Sequence, residues 1–115
     1  MICAIHQPQY MPWLGYFDKI DRADIFILLD DVQFKKNDWQ NRNKIRTAQG
    51  WQWLTVPVLH DFGQKIKEVH INNRENWRHD HLRAIELNYG KAPYYKKYMD
   101  FFHALYEKEW YSLAE

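Results

Sequence analysis

The first thirty residues carry the pattern that constrains the fold most. Ile2 to Ile5 is a short apolar run, and the loop after it contains two prolines, which exclude a helix and a central strand there. From Trp13 to Arg22 apolar residues recur at helical spacing, with Pro12 placed for a first helical turn. Asp24 to Leu29 is continuously apolar after its first residue, which is typical of a strand buried on both faces. This order predicts a βαβ unit with a parallel strand pair.

The middle of the chain predicts an antiparallel hairpin. Asn43 to Thr47 and Trp51 to Val58 flank a turn signal that ends at Gly50, and Pro57 puts the end of the second strand at an edge or a bulge. Neither face of the second strand is purely polar, so we expect both faces to contact protein or ligand. Lys67 to Ile71 predicts one more short strand.

Two helices are predicted in the last third of the chain. The first follows turn and N-cap signals at Asn72 and Asn73 and covers Trp77 to Leu87. The second, predicted to be the longest, runs from Pro93 to Glu109, and its aromatic stripe is typical of a core-facing surface but also fits a homodimer interface. The predicted fold is α/β, a small mixed sheet with an N-terminal βαβ unit, an antiparallel hairpin and C-terminal helices. We expect a single domain over residues 1–115.

Composition and charge narrow the classes of partner. The net charge of the chain is +1 and neither half is strongly basic, which predicts no electrostatic binding to nucleic acid. The longest apolar stretch, Ile25 to Leu29, is far too short to span a membrane. Met1 to Ile5 has neither a basic leader nor a small-residue cleavage site, so we expect a cytoplasmic protein. The lone cysteine, Cys3, lies in a strand predicted to be buried and is interpreted as a small core residue.

The loop after the first strand holds the first candidate for chemistry. His6 and Gln7 lie where that strand ends, and ligands of open α/β sheets bind beyond the carboxyl ends of the strands. His6 could act as an acid or base near neutral pH, or donate a hydrogen bond to a phosphate or a developing oxyanion. The alternative is a structural histidine that holds the loop. A polar pair beside two prolines favours the functional interpretation.

Two acidic residues follow the second strand. Asp30 and Asp31 lie next to the first loop if the strand pair is parallel, so their carboxylates are candidates for the catalytic site. They could coordinate Mg²⁺ or Mn²⁺ beside a sugar-nucleotide, or accept hydrogen bonds from ribose hydroxyls. Side chains of consecutive strand residues point to opposite faces, so at most one needs to face a ligand. The alternative is a cap or turn role for one carboxylate and solvent exposure for the other.

A run of amides beside a guanidinium and an indole occupies positions 39–43. Trp39, Gln40, Asn41, Arg42 and Asn43 combine the groups that recognise carbohydrate and phosphate. Arginine binds phosphate bidentately, amides bond to hydroxyls, and a flat ring stacks on a sugar or a base. The alternative is a surface loop held by its own side chains. So many uncharged hydrogen-bonding groups at one turn exceed what solubility needs, which favours substrate binding.

The other reactive residue types form no recognisable catalytic set. His79 and His81 are two apart on a predicted helix, so they diverge, cannot share a metal, and are expected to face solvent. A single cysteine with scattered histidines makes no zinc constellation. Ser112 has no nucleophile signature around it, which argues against a serine hydrolase. The sequence identifies no metal ligands and leaves any cofactor unknown.

Four blocks of sequence resemble the signature of the WbqC-like protein family. They are IHQPQYMPWLGYFDKI (5–20), DDVQF (30–34), WQNRNKI (39–45) and GWQWLTVPV (50–58). The resemblance implies a bacterial protein associated with gene clusters for O-antigen and other surface polysaccharides. It adds Tyr10, Trp13 and Gln33 to Gln7 and the 39–43 run as candidate substrate-binding residues. Family members are longer than this chain, which leaves open a truncation at its C-terminus.

The leading hypothesis is a transferase that acts on a nucleotide-activated sugar in surface polysaccharide, or lipopolysaccharide, biosynthesis. In it His6 is the acid or base, and the turn around Arg42 holds phosphate or hydroxyls. Glycosyl transfer and acyl or aminoacyl transfer fit equally, because both need the same binding groups. The alternative is a noncatalytic sugar-binding or assembly subunit. The leading hypothesis requires His6, an aspartate of the second strand and the turn around Arg42 to converge on one cleft.

Overall fold

The computed structural model describes residues 1–115, which form six short strands and three α-helices. In chain order the elements are β1 (Cys3–His6), α1 (Leu14–Arg22), β2 (Ile25–Leu28), β3 (Arg42–Thr47), β4 (Gly50–Thr55), β5 (Val58–Leu59), a 3-10 turn (Ile66–Glu68), β6 (His70–Ile71), α2 (Trp77–Tyr89) and α3 (Tyr95–Glu107). None of the three helices combines the length and the apolar content that crossing a lipid bilayer requires.

The N-terminal βαβ unit is confirmed. β1 and β2 pair in parallel, with Cys3 opposite Ile25 and His6 opposite Leu28. α1 lies on the face of the pair that carries the even-numbered side chains, where the buried ring of Tyr16 is 5.6 Å from the ring of Phe26. The carboxyl ends of β1 and β2 therefore lie side by side, which brings the loop after β1 next to the segment after β2.

The predicted α/β class is confirmed, and the strands are divided among three two-stranded sheets instead of one mixed sheet. β3 pairs with β4, and β5 pairs with β6, both antiparallel. The backbone after β2 is hydrogen-bonded to the connection before β6: the amides of Phe34 and Ile66 donate to the carbonyls of Gln64 and Val32, at 2.8 and 2.9 Å. These hydrogen bonds join the segment after β2 to the connection that leads into β6.

The hydrophobic core lies between the hairpin, β6, α2 and α3. Its largest cluster consists of Ile45, Leu54, Val56, Ile71, Trp77, Ala84, Ile85, Met99 and Tyr106. A smaller cluster of Phe34, Ile66 and Val69 lies under the connection between the hairpin and β6. Burying one large apolar side chain contributes about 1.5–3 kcal/mol, so these two clusters supply most of the stability of the fold.

The expectation that β2 is buried on both faces, with Cys3 as a core residue, is wrong for this chain. Ile25 and Ile27 are 47% and 42% exposed, and Cys3 is exposed as well. α1 covers one face of the strand pair, and no element covers the other. A continuous apolar run indicates that a strand needs cover on both sides, but it does not say whether the same chain supplies that cover.

Local features of the C-terminal half also differ from prediction. The segment predicted as one strand is a 3-10 turn followed by the two residues of β6. α2 is not capped by the side chain of Asn72 or Asn73, because Asn73 instead accepts a hydrogen bond from the Trp77 indole at 3.0 Å. α2 and α3 are equally long, at 13 residues each.

Candidate functional site

The loop after β1 is hydrogen-bonded directly to the amide-rich segment before β3. The side-chain amide of Gln40 donates to that of Gln7 at 2.9 Å, and the backbone amide of Tyr10 donates to the Trp39 carbonyl at 3.0 Å. The Asn43 side chain donates to two successive loop carbonyls, at 2.7 and 3.3 Å. Two segments about thirty positions apart, each predicted from sequence as a binding element, therefore form one continuous surface, which we call the loop site (residues 6–11 and 39–43).

His6 is held in one tautomer by its neighbours. Its Nδ1 lies 3.3 Å from the ammonium of Lys19, which also donates to the Ile5 carbonyl at 3.1 Å. Because an ammonium can only donate, Nδ1 accepts, and the neutral ring carries its hydrogen on Nε2. Burial and the nearby charge of Lys19 both lower the pKa of His6, which favours that neutral form. The Gln9 atom that lies 3.4 Å from Nε2 is its carboxamide nitrogen, which is itself a donor, so the Nε2 hydrogen has no acceptor in Gln9.

Tyr16 supports His6 and the loop from beneath. Its ring centre is 4.7 Å from that of His6, and its hydroxyl donates to the Gln7 carbonyl at 3.0 Å. Burial raises the pKa of this phenol, so it stays a hydrogen-bond donor across the physiological pH range. Sequence reasoning identified Tyr16 as one of the apolar positions of α1. The helical spacing that placed it on the inner face is also the signal for its contact with the loop.

A buried network joins the loop to α2 and α3. The ring of His81 is 5% exposed, which overturns the expectation that it faces solvent. Its Nδ1 is 2.7 Å from the Tyr10 hydroxyl, and its Nε2 is 3.0 Å from the Thr55 carbonyl oxygen. The Tyr10 hydroxyl is in turn hydrogen-bonded to the Tyr106 hydroxyl. The spacing of Trp77, His81, Ala84 and Ile85, all buried on one face of α2, is the sequence signal that predicts this burial.

The hydrogen bonds of this network run in one direction. A carbonyl can only accept, so Nε2 of His81 carries the hydrogen and Nδ1 accepts from the Tyr10 hydroxyl. Tyr10 has then used its hydrogen, and its oxygen accepts the hydrogen of Tyr106. Burial lowers the pKa of His81 and raises the pKa of both tyrosines, which keeps all three groups uncharged near neutral pH.

A cavity of about 540 Å³ adjoins the loop site, and 13 of its 19 lining residues are hydrophobic. Its wall consists of Pro8, Gln9, Tyr10, Met11, Pro12, Phe17, Gln40, Val56, Ile66, Ile71, Trp77, Phe101, Phe102, Leu105, Tyr106, Trp110, Ser112, Leu113 and Glu115. The cavity and the loop site share Pro8, Gln9, Tyr10, Met11 and Gln40. His6 and Arg42 lie outside it, so the polar groups and the apolar space are neighbouring parts of one region.

The hairpin adds a cationic aromatic surface to the loop site. The guanidinium of Arg42 lies 3.8 Å above the ring centre of Trp53, whose ring is 5.8 Å from that of Trp39 and 5.6 Å from that of Trp51. The ammonium of Lys44 is 4.1 Å from the Trp51 ring. The Nε atom of Arg42 is buried without a hydrogen-bond partner. Trp39 and Trp51 are 44% and 56% exposed, so flat ring surface is available to a ligand.

Asn41 and Gln40 have structural partners. Asn41 is 1% exposed, donates to the Val56 carbonyl at 3.1 Å and accepts from the backbone amide of Asn37 at 3.2 Å. The Gln40 oxygen accepts from the backbone amide of Lys35 at 2.9 Å. Both side chains thus hold the turn that leads into β3, and Gln40 also donates to Gln7 of the first loop. Trp39, Arg42 and Asn43 are the other members of this run that reach further parts of the site.

The remaining predicted residues lie apart from these contacts. Asp30 is half-buried and Asp31 exposed, and neither lines the cavity. The backbone of Gln33 bridges to Lys65, and its side chain is exposed. Trp13 precedes α1 and is 66% exposed, with its ring packed so closely over Gly15 that a Cβ there would lie 1.9 Å from it. No three His, Cys, Asp or Glu side chains lie close enough together to hold a metal ion.

The fold and the site define a small α/β protein in which a histidine-bearing loop of a parallel strand pair packs against an aromatic hairpin. The chain belongs to the WbqC-like protein family, which matches residues 7–115. It is 46% identical over 108 residues to "Uncharacterized protein Rv1507c" of Mycobacterium tuberculosis, a match that covers 92% of this chain and 46% of the relative. The chain therefore spans slightly less than half the length of that relative. No solved structure matches it.

Proposed function

We propose that this chain provides the binding loop, and a hydrogen-bond donor for catalysis, of a transferase that acts on a nucleotide-activated sugar in the assembly of bacterial surface polysaccharide. The observation that carries the proposal is the direct hydrogen bonding between the His6–Gln7 loop and the Trp39–Asn43 segment. It places the loop that follows His6 against the segment that carries Arg42 and Trp39. The proposal covers glycosyl transfer and transfer of an acyl or aminoacyl group.

Arg42 and the tryptophans are the proposed recognition groups. Guanidinium groups bind phosphate through parallel N–H donors, and since the Nε of Arg42 is buried, a diphosphate would bind to its two terminal nitrogens. Stacking on Trp53 fixes the guanidinium plane before a ligand arrives, which reduces the entropy lost on binding. The exposed faces of Trp39 and Trp51 suit a sugar ring or a nucleobase.

His6 is proposed to act as a donor to developing negative charge. With Nδ1 accepting from Lys19, its Nε2–H faces the Gln9 amide nitrogen, which cannot accept, and is therefore available to a ligand. A neutral imidazole that donates in this way stabilises an oxygen that gains charge in the transition state, such as a leaving phosphate oxygen or a tetrahedral oxyanion. This tautomer favours the donor role over that of a general base, because the basic lone pair on Nδ1 is already occupied.

The second candidate is a noncatalytic sugar-binding or assembly subunit. The contiguous rings of Trp39, Trp53 and Trp51 favour it, because stacking on a glycan needs aromatic surface and no catalytic group.

The transferase proposal includes a cytoplasmic location, because its proposed substrate is a nucleotide-activated donor. A homodimer through α3 is a further part of it, supported by Tyr98 and Phe101, which are 52% and 64% exposed.

The test is calorimetric titration of the chain with a panel of nucleotide sugars, with and without Mg²⁺, alongside free glycans. We expect a nucleotide sugar to bind, and Arg42→Gln to weaken that binding by about tenfold, the loss of one charged hydrogen bond. The matched control is Arg83→Gln, on the exposed side of α2, which should bind like the parent chain.

Turnover separates the two candidates. With a donor and acceptor identified by binding, His6→Gln should lower kcat by ~100-fold, whereas the exposed His79→Gln should leave it unchanged. Binding of free glycan without any binding of nucleotide sugars would contradict the transferase and support the binding subunit.

A further inference from the structure

One face of the parallel strand pair has no cover. In β1 and β2 the odd-numbered residues Cys3, Ile5, Ile25 and Ile27 share the face opposite α1, since strand residues alternate and Cys3 and Ile5 pair with Ile25 and Ile27. Ile5 is 52% exposed, Ile25 is 47% exposed and Ile27 is 42% exposed. We call these four residues the bare face. The even-numbered side is covered by α1 around Phe26, where Tyr16 packs against it, while Leu28 at the end of β2 is 53% exposed.

A bare face on a parallel pair is physically unusual. Parallel sheets occur almost always with both faces covered, typically by helices, and an isolated two-stranded sheet is marginally stable in water. The free edges of β1 and β2 also leave backbone groups unpaired. The apolar composition of β2 fits a strand with protein on both sides, so the sequence of this strand is matched to a layer that residues 1–115 do not contain.

The length of the relative indicates what that layer is. The Mycobacterium tuberculosis relative matches 92% of this chain, yet the match covers 46% of the relative, so more than half of its length lies outside the match. We propose that the bare face docks this unmatched part of the family chain, which places a helical layer over Cys3, Ile5, Ile25 and Ile27. Helices are the elements that cover the faces of parallel sheets.

A second copy of this chain suits the bare face less well. Stable interfaces between separate proteins bury about 800 Å² on each partner and involve about 20–30 residues a side. The bare face offers four side chains, and its three isoleucines have about half of their surface already covered. A segment of the same family chain does not need so large an area, because linkage raises its effective concentration to the millimolar range.

Cys3 gives a direct test, because it is the single cysteine of the chain, it is exposed, and it lies on the bare face. A chimera is made in which residues 1–115 replace the matching stretch of the mycobacterial relative. Alkylation of Cys3 by a maleimide is followed by mass spectrometry of its peptide, in the chimera and in the 115-residue chain. We expect alkylation in the chimera to be at least ~10-fold slower, since docked protein excludes the reagent.

Variants decide whether the protection is specific. Ile27→Asp places a charge in the docked face, so it should return Cys3 in the chimera to the rate of the 115-residue chain, while Ile27→Val should keep the protection. As a matched control, Cys3→Ser with Leu87→Cys moves the thiol to an exposed position of α2, where the two proteins should react alike.

Three results would overturn the proposal. One is equal Cys3 rates in the chimera and the 115-residue chain. Another is protection in the chimera that persists with Ile27→Asp. The third is protection in the 115-residue chain that grows with its own concentration, because it would identify a second copy as the occupant.

Discussion

Residues 1–29 and residues 34–113 differ in what covers their apolar side chains. In the first region Tyr16 is the one fully buried residue, and four apolar positions of the strand pair stand half exposed. The second region contains both core clusters. The loop site spans both regions, and the hydrogen bonds between residues 6–11 and residues 39–43 attach its first segment to the better-packed region. His6 itself is held by Lys19 and Tyr16 of α1, so the two regions position different parts of the site.

The largest expected contrast is in stability. Leu54→Ala empties a position that is 3% exposed in the main core and should lower the free energy of unfolding by about 2–5 kcal/mol. Ile27→Ala, on the bare face, removes a side chain that is 42% exposed and should cost less than ~1 kcal/mol. Urea unfolding followed by tryptophan fluorescence measures both. Equal losses would mean that the strand pair is packed as well as the core.

A smaller effect is expected in the pH dependence of the free energy of unfolding. The folded-state pKa of His81 is lowered by burial, so the unfolded chain binds more protons once the pH falls below the ordinary histidine value. Stability should therefore be complete above about pH 6.5. It should decline as the medium becomes more acidic, by up to about 1.4 kcal/mol per pH unit for one proton.

Tyr10 and Tyr106 affect the free energy of unfolding at alkaline pH. Their folded-state pKa values are raised, so the unfolded chain loses phenolic protons first, and stability should also fall as the pH rises above about 10. His81→Gln should flatten the acid limb and leave the alkaline one. The exposed control His79→Gln should change neither limb. An unchanged acid limb in His81→Gln would contradict the assignment.

The smallest expected effect concerns the histidine of the loop site. Lys19→Met removes one of the two causes that lower the pKa of His6, so that pKa should rise toward its ordinary value, while burial, the larger cause, still holds it down. Lys19→Arg retains the charge and should change the pKa less. Nitrogen-detected NMR of the imidazole gives both the pKa and the tautomer. Unchanged Nδ1 and Nε2 shifts in Lys19→Met would mean that Lys19 does not fix the ring.

Local patterns predicted the elements of both regions, because spacing along the chain is the cause of helix and strand formation. The βαβ unit, the hairpin and the two later helices all follow from periodicity and turn residues. The division into three sheets could not be predicted, since it depends on which strands meet in the folded chain, and local spacing does not determine that. The bare face could not be predicted either. The apolar run of β2 predicts burial on both faces, and another part of the family chain can supply that burial.

The candidate site was predicted in its parts rather than in its connections. Sequence reasoning selected the His6–Gln7 loop and the 39–43 run, but the hydrogen bond between Gln7 and Gln40 depends on tertiary structure. The sequence also does not show that the side-chain amide of Asn41 is hydrogen-bonded to the backbone of Asn37 and Val56. The expectation of a solvent-facing His81 rests on its divergence from His79. Its burial follows from Trp77 and Ile85, which lie on the same side of the helix.

The direction of the Tyr106, Tyr10 and His81 hydrogen bonds determines which kind of hydrogen-bonding group the Tyr106 phenol can bind in the cavity. The Tyr106 hydroxyl has both Tyr10 and the Met11 sulfur as partners, so its single hydrogen is used within the chain, and a molecule that reaches this phenol from the cavity meets lone pairs. A carbonyl or ether oxygen would find nothing there to bond with, whereas an alcohol or an N–H group would. The preference is built into the wall before any guest arrives, and it is set by the Thr55 carbonyl at the far end of the chain of bonds.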